Sequence, residues 1–215
     1  MRYRRLFLFT FAAFGLATLL GVSASAQDAL KGKTYYFGTS EPRTNISFSS
    51  DAEIETIQGT TQKMDRFNSK ITVAASGKKS SGSLRVGVAQ LKTGIALRDE
   101  HLRSPIWLDA KRFPWITLKL TEITEDKDAR NWSFKGTLSI KGVTRPLAGK
   151  ARVLPIPTSV KGLGAGEWVR VWVKFDVDIT KFGIVIPKQV GAKVSKVWKV
   201  GVDIFGTTAV PKRRR

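Results

Sequence analysis

From Val169 to Ile179 every second residue is apolar: Val169, Val171, Val173, Phe175, Val177 and Ile179. A period of two held over that length is a β-strand with one buried face, because successive side chains on an extended chain point to opposite sides. The other face carries Trp168, Arg170, Trp172 and Lys174. The strand is therefore a wall with an aliphatic side and an aromatic–basic side, and the latter suits base stacking or a membrane-interface belt.

The same period recurs along the chain. Thr44–Ser50 sets Ile46 and Phe48 against Asn45 and Ser47, and Phe67–Ala75 sets Phe67, Ile71 and Val73 inward. Leu84, Val86 and Val88 return after a hairpin loop at 76–82. Ile116, Leu118 and Leu120 follow, then Trp132, Phe134, Leu138 and Ile140, and last Val194, Trp198, Val200, Val202 and Ile204. Glu53–Gln62 is more polar, with Gly59 read as a bulge or a bend. These segments make about eight strands joined by turns, without a βαβ rhythm, so the predicted class is an all-β, eight-stranded antiparallel barrel. Closure also removes the exposed edges that long apolar strands otherwise present.

One helix-length charged segment interrupts the strands, near residues 97–109. It holds Arg98-Asp99-Glu100-His101 and the single histidine of the chain. Leu97, Leu102 and Ile106 have the spacing of one helix face, and Pro105 ends or kinks the helix. Asp99 pairs with Arg98 or accepts backbone N–H bonds as a cap. His101 either pins the segment across the barrel or meets a ligand headgroup at its mouth.

At the start, Arg2, Arg4 and Arg5 precede an uncharged apolar run from Leu6 to Val22 and the small-residue site Ala24-Ser25-Ala26. This is the pattern of a secretory signal peptide over residues 1–26, so the expected location is periplasmic or secreted after cleavage near Ala26. A domain over 27–210 and a basic tail, 211–215, would remain. The net charge of +20 predicts attraction to polyanions, and in an exported protein an anionic membrane surface is a more accessible partner than nucleic acid. A homodimer of barrels sharing a face is compatible with the sequence, although no motif carries it.

With one histidine and no cysteine, a zinc site of the usual donors is not expected. No Gly-x-Ser-x-Gly elbow, P-loop or dinucleotide fingerprint is present, and no carboxylate pair stands out, so the reading is a binding protein without a cofactor rather than an enzyme. An eight-stranded barrel is either filled by its side chains or holds one small ligand. Gly136, Gly149, Gly201 and Ala151 are the small residues expected to leave room inside. The aliphatic rows then favour a long apolar occupant. The rival is a solid barrel whose basic exterior binds polyanions or anionic membrane.

Three motifs resemble the YceI-like family of periplasmic polyisoprenoid-binding proteins. They are Thr93 with Arg98-Asp99-x-His101-Leu102-x-Ser104 and Phe113-Pro114-x-Ile116; the hairpin Phe134-x-Gly136-x-Leu138-Ser139-Ile140-x-Gly142-Val143-Thr144-Arg145-Pro146; and Phe182-Gly183-Ile184 followed by Val190-Gly191. The resemblance implies a lipocalin-like barrel whose long cavity holds a polyisoprenoid, an isoprenoid quinone or a fatty acid or amide, for transport, storage or stress response. It places Arg98, Asp99 and His101 near the pocket. Leu102, Trp107, Phe113, Ile116, Leu118, Phe134, Leu138 and Phe182 complete the expected ligand-binding set. The chain departs from the family pattern at Gly38, at Arg43-x-Asn45 and at Thr180-Lys181.

Overall fold

The alternating segments close into a ring. The computed structural model describes residues 28–39, 43–76, 79–127 and 130–212. The segment read as a signal peptide and the arginines of the basic tail lie outside them. The strands are β1 (Thr34–Phe37), β2 (Asn45–Asp51), β3 (Thr56–Thr61), β4 (Lys70–Thr72), β5 (Ser80–Gly87), β6 (Trp115–Glu125), β7 (Asn131–Ile140), β8 (Val143–Ile156), β9 (Trp168–Asp178) and β10 (Val197–Thr207). All pairings are antiparallel, and β1 joins both β4 and β10. The circuit β1-β4-β5-β6-β7-β8-β9-β10 is thus the expected eight-stranded barrel. The short strands β2 and β3 add to the upper part of β10, and bridges Thr60–Lys92 and Met64–Val86 tie them back to the other side.

Alternation decides which side chains enter the lumen. Val169, Val173 and Val177 of β9 are buried, while Lys174 and Asp176 are exposed. Facing outward, Trp168 is buried and donates its indole N–H to Gly164 O. Trp172 is half-buried between the guanidinium groups of Arg152 and Arg170. The aromatic–basic side exists, but its aromatics are not the open stacking platform that the sequence suggested.

Other expectations change for local reasons. Helix α1 (Ala96–Arg103) turns Leu102 and Asp99 inward and leaves Leu97 and Ile106 exposed, at 62% and 58%, so the three apolar residues do not share a buried face. Phe67 is also exposed, beneath Arg66, because β4 begins only at Lys70. Gly59 makes no bulge. It pairs in register with Phe48, whose ring occupies the space of a side chain: a Cβ at residue 59 would lie 2.3 Å from Phe48 Cε1. The register slips instead between Ser80 and Gly82 and between Leu120 and Glu122.

The core divides into an upper cluster, which includes Leu102, Leu108, Leu138 and Trp198, and a lower one, which includes Tyr35, Trp132, Phe134 and Val173. Val86, Leu118, Leu147 and Phe175 pack against both and form a waist.

Candidate ligand-binding site

The connections 52–55, 88–114, 141–142 and 179–196 gather at one end of the barrel, as the strand order requires. There the lumen opens into a vestibule of about 530 Å³. Arg98, His101 and Leu102 line it from α1, with Trp107 just after the helix and Pro187, Val190 and Val194 opposite. Its floor is the Phe48–Trp198 stack, with ring centroids 4.8 Å apart and planes at 13°. Trp198 is pinned by its indole N–H, which donates to Ser195 O at 3.1 Å. The bare Cα of Gly59 leaves room for the Phe48 ring beside it.

Below this throat the apolar space continues in two smaller voids. The upper, about 90 Å³, shares Phe48 and Trp198 with the vestibule and is lined by Ile116, Leu138 and Phe175 among others. The lower, about 80 Å³, lies against Leu118, Phe134, Ala151 and Trp132. The single long cavity implied by the resemblance is therefore partitioned twice, at the throat and at the waist. At the closed end, burial together with the nearby charge of Glu167 pushes the Tyr35 hydroxyl up to about 12. It is neutral at physiological pH. The Trp132 indole N–H is buried there without a partner among the described residues.

Of the expected ligand-binding residues, Arg98, His101, Leu102 and Trp107 line the vestibule, Ile116 and Leu138 the upper void, and Leu118 and Phe134 the lower. Asp99, Phe113 and Phe182 line none of the three. Asp99 is 4% exposed and neither pairs with Arg98 nor caps the helix. Its carboxylate accepts the Thr93 N–H at 2.6 Å and the Thr93 hydroxyl at 2.7 Å, locking the approach to α1 onto the helix. Burial pushes this carboxyl upward, but the Thr93 bonds, with Lys92 and Arg103 nearby, outweigh it and hold the acid below its usual range. Arg98 forms an ion pair with Glu55. The imidazole of His101 is exposed at the mouth and makes no hydrogen bond to the described residues. Phe113 covers Gly142 and stacks with Arg112, and Phe182 is buried in the upper core.

Two of the small residues also differ from expectation. Gly201 faces outward, on the Lys199–Asp203 side of β10, against Ser47. Gly136 lies by the β6 irregularity, where a Cβ would approach Lys119 O to 2.1 Å, so its bareness serves strand pairing rather than the lumen. Gly149 and Ala151 do face inward, Gly149 beneath the Phe134 ring. Phe48, Gly59 and Trp198 were missed as a site. Phe48 and Trp198 have the alternation of ordinary core, and only their register with Gly59 reveals a throat.

A closed antiparallel barrel with an apolar lumen open at one end is a lipocalin-like binding fold. The chain belongs to the YceI-like family: the YceI-like domain matches residues 39–205. A UPF0312 protein of Shewanella denitrificans is 30% identical over 142 residues, which is 65% of this chain and 72% of that protein. One from Vibrio cholerae is 28% identical over 162 residues, 74% and 77% of the two chains. Among solved structures, BcnA of Burkholderia cenocepacia superposes with a TM-score of 0.64 at 15% identity, covering 78% of this chain and 99% of that one. A polyisoprenoid binding domain from Saccharophagus degradans, implicated in plant cell wall breakdown, gives 0.58 at 12% identity, with 84% and 99% covered.

Proposed function

We propose that this protein is an exported carrier that holds one long apolar lipid, of the polyisoprenoid, isoprenoid-quinone or fatty-chain class, with its chain in the lumen and its polar end in the vestibule. The observation that carries the reading is the sequence of apolar spaces along the barrel, from a vestibule of about 530 Å³ to voids of about 90 and 80 Å³. The vestibule is within the usual size of small-molecule sites. The polyisoprenoid binding domain of Saccharophagus degradans has the same fold. Arg98, His101 and Lys193 at the rim supply polar groups for a headgroup, and the walls below select only for apolar length. A solid barrel acting through its basic exterior has no use for this opening. The test is native mass spectrometry of the protein isolated from its host envelope, followed by solvent extraction. About one apolar lipid per chain is expected. A chain that is consistently empty, and that takes up no isoprenoid or fatty probe, would refute the carrier reading.

A further inference from the structure

We infer that the mouth of the barrel docks onto an anionic lipid bilayer. The inference rests on the carrier reading for its purpose and on the rim itself for its physical basis. Ile54, Leu97, Ile106 and Val185 are 67%, 62%, 58% and 76% exposed. All four lie on the connections around the opening. Leu97 and Ile106 line the vestibule, Ile54 N–H donates to Ala192 O across the rim, and Val185 stands two residues before the lining residue Pro187. Apolar side chains of this size exposed on three connections at one end form apolar surface that aqueous solvent does not favour.

The surrounding charge identifies the partner. The connection 179–196 contains Lys181, Lys188, Lys193 and Lys196 and no carboxylate. All four lysines are exposed, and none forms an ion pair among the described residues. Over the four connections at the mouth basic residues outnumber acidic ones ten to five, the exposed Glu53 and Glu100 included. The apolar side chains therefore sit on a net cationic rim that matches a surface with anionic headgroups above hydrocarbon, where burial and electrostatic attraction add. Each lysine within that surface potential contributes roughly fivefold to partitioning. Docked this way, the vestibule faces the acyl layer, and a lipid chain passes between bilayer and lumen without crossing water. Strand β10 runs away from the mouth, so Thr207 stands at the other end of the barrel. Lys31, which pairs with Glu125, is also at that far end.

The chain has no cysteine, so one polarity-sensitive thiol dye can report each end. Val185→Cys labels the mouth, and Val160→Cys labels the opposite loop, where the side chain is 47% exposed. Both labelled proteins, isolated from the envelope without detergent, are mixed with phosphatidylcholine vesicles with or without about one-third phosphatidylglycerol. The Val185 label is expected to shift to the blue with the anionic vesicles, weakly with neutral ones, and less at high salt, while the Val160 label stays unchanged. Replacing Ile54 and Val185 together by Ser, neither of which lines the vestibule, should reduce vesicle partitioning, read by co-flotation, at least tenfold. A silent Val185 label, a shift confined to Val160, or undiminished binding of the Ser variant would each overturn the inference. Lipid extraction from the same samples keeps the two readings apart: a Ser variant that still contains lipid but does not bind vesicles separates docking from carriage.

Discussion

Replacing Phe48 by Ala should weaken the protein and open it at once. Phe48 is 7% exposed and stacks on Trp198 at 4.8 Å. Truncation of a buried Phe to Ala costs about 3–5 kcal/mol, of which the ring pair contributes about 0.5–1.5 kcal/mol. The space left behind joins the vestibule and admits water, so the sealed-cavity part of the penalty is small and the loss should be about 3 kcal/mol. For a chain of this size that lowers Tm by roughly 6–12 °C. Near-UV circular dichroism of the delipidated protein during heating measures the loss. Stopped-flow uptake of diphenylhexatriene, an apolar fluorophore, measures the opening. If the stack must separate for a chain to enter, uptake should be about two- to tenfold faster, the kinetic equivalent of removing the stacking term from the barrier. Gly59→Ala is the independent check, because its Cβ would meet the Phe48 ring at 2.3 Å and displace it without deleting it. Lower stability with unchanged uptake in both variants would show that the throat is not the passage.

Asp99→Asn should cost about 1–2 kcal/mol at neutral pH by weakening two buried hydrogen bonds to Thr93. The folded carboxyl is held below its ordinary pKa, so its contribution is complete above about pH 4 and fades as pH falls further. Urea midpoints of wild type and variant should therefore converge on acidification, and a gap that is constant with pH would refute the assignment. Ala151→Leu adds three carbons to the lower void of about 80 Å³. It should stabilise the empty protein by up to about 2 kcal/mol and shift the extracted lipids toward shorter chains, and an unchanged lipid profile would place the ligand elsewhere.

The barrel was legible because alternation is a local signal that each strand carries alone. Val169–Ile179 announces a half-buried strand whatever it pairs with, and a series of such segments leaves few ways to cover their edges. Alternation does not tell which segments close the ring, however: 44–50 and 53–62 alternate or extend like the rest, yet as β2 and β3 they stand outside it. The helix was legible as a charged interruption, but not its orientation. Leu97, Leu102 and Ile106 have helical spacing, yet Asp99 rather than Leu97 turns inward, because Thr93 offers its N–H and hydroxyl there. The throat was illegible for a related reason. Phe48, Gly59 and Trp198 are far apart in sequence, and only the registers β10–β2 and β2–β3 bring a missing side chain beneath a ring. Gly136 and Gly201 show the same limit, since a bare Cα makes room on whichever side the neighbouring backbone comes close.

The partitioned lumen sets how affinity depends on ligand length. Strands β6, β9 and β10 have 11 residues each. At about 3.3 Å per residue they span roughly 36 Å, which projects to roughly 25–30 Å along the axis at the usual tilt of barrel strands. A chain can occupy that length only if Phe48 and Trp198 part at the throat and Leu118 and Phe175 turn at the waist. Side-chain rotation of this kind costs on the order of 1 kcal/mol each, whereas moving a strand would break a hydrogen-bonded ladder closed on both sides. Each methylene that replaces water contact contributes about 0.8 kcal/mol. Affinity across a series of straight-chain alcohols should therefore be weak while the chain fills only the vestibule. It should then rise about fourfold per methylene once the throat is passed, and level off when the extended chain reaches about 25–30 Å. Fluorophore displacement by each alcohol gives the curve. A plateau at the shortest chains would mean that the stack never opens, and a rise without a plateau would mean that the lower end of the barrel is not closed.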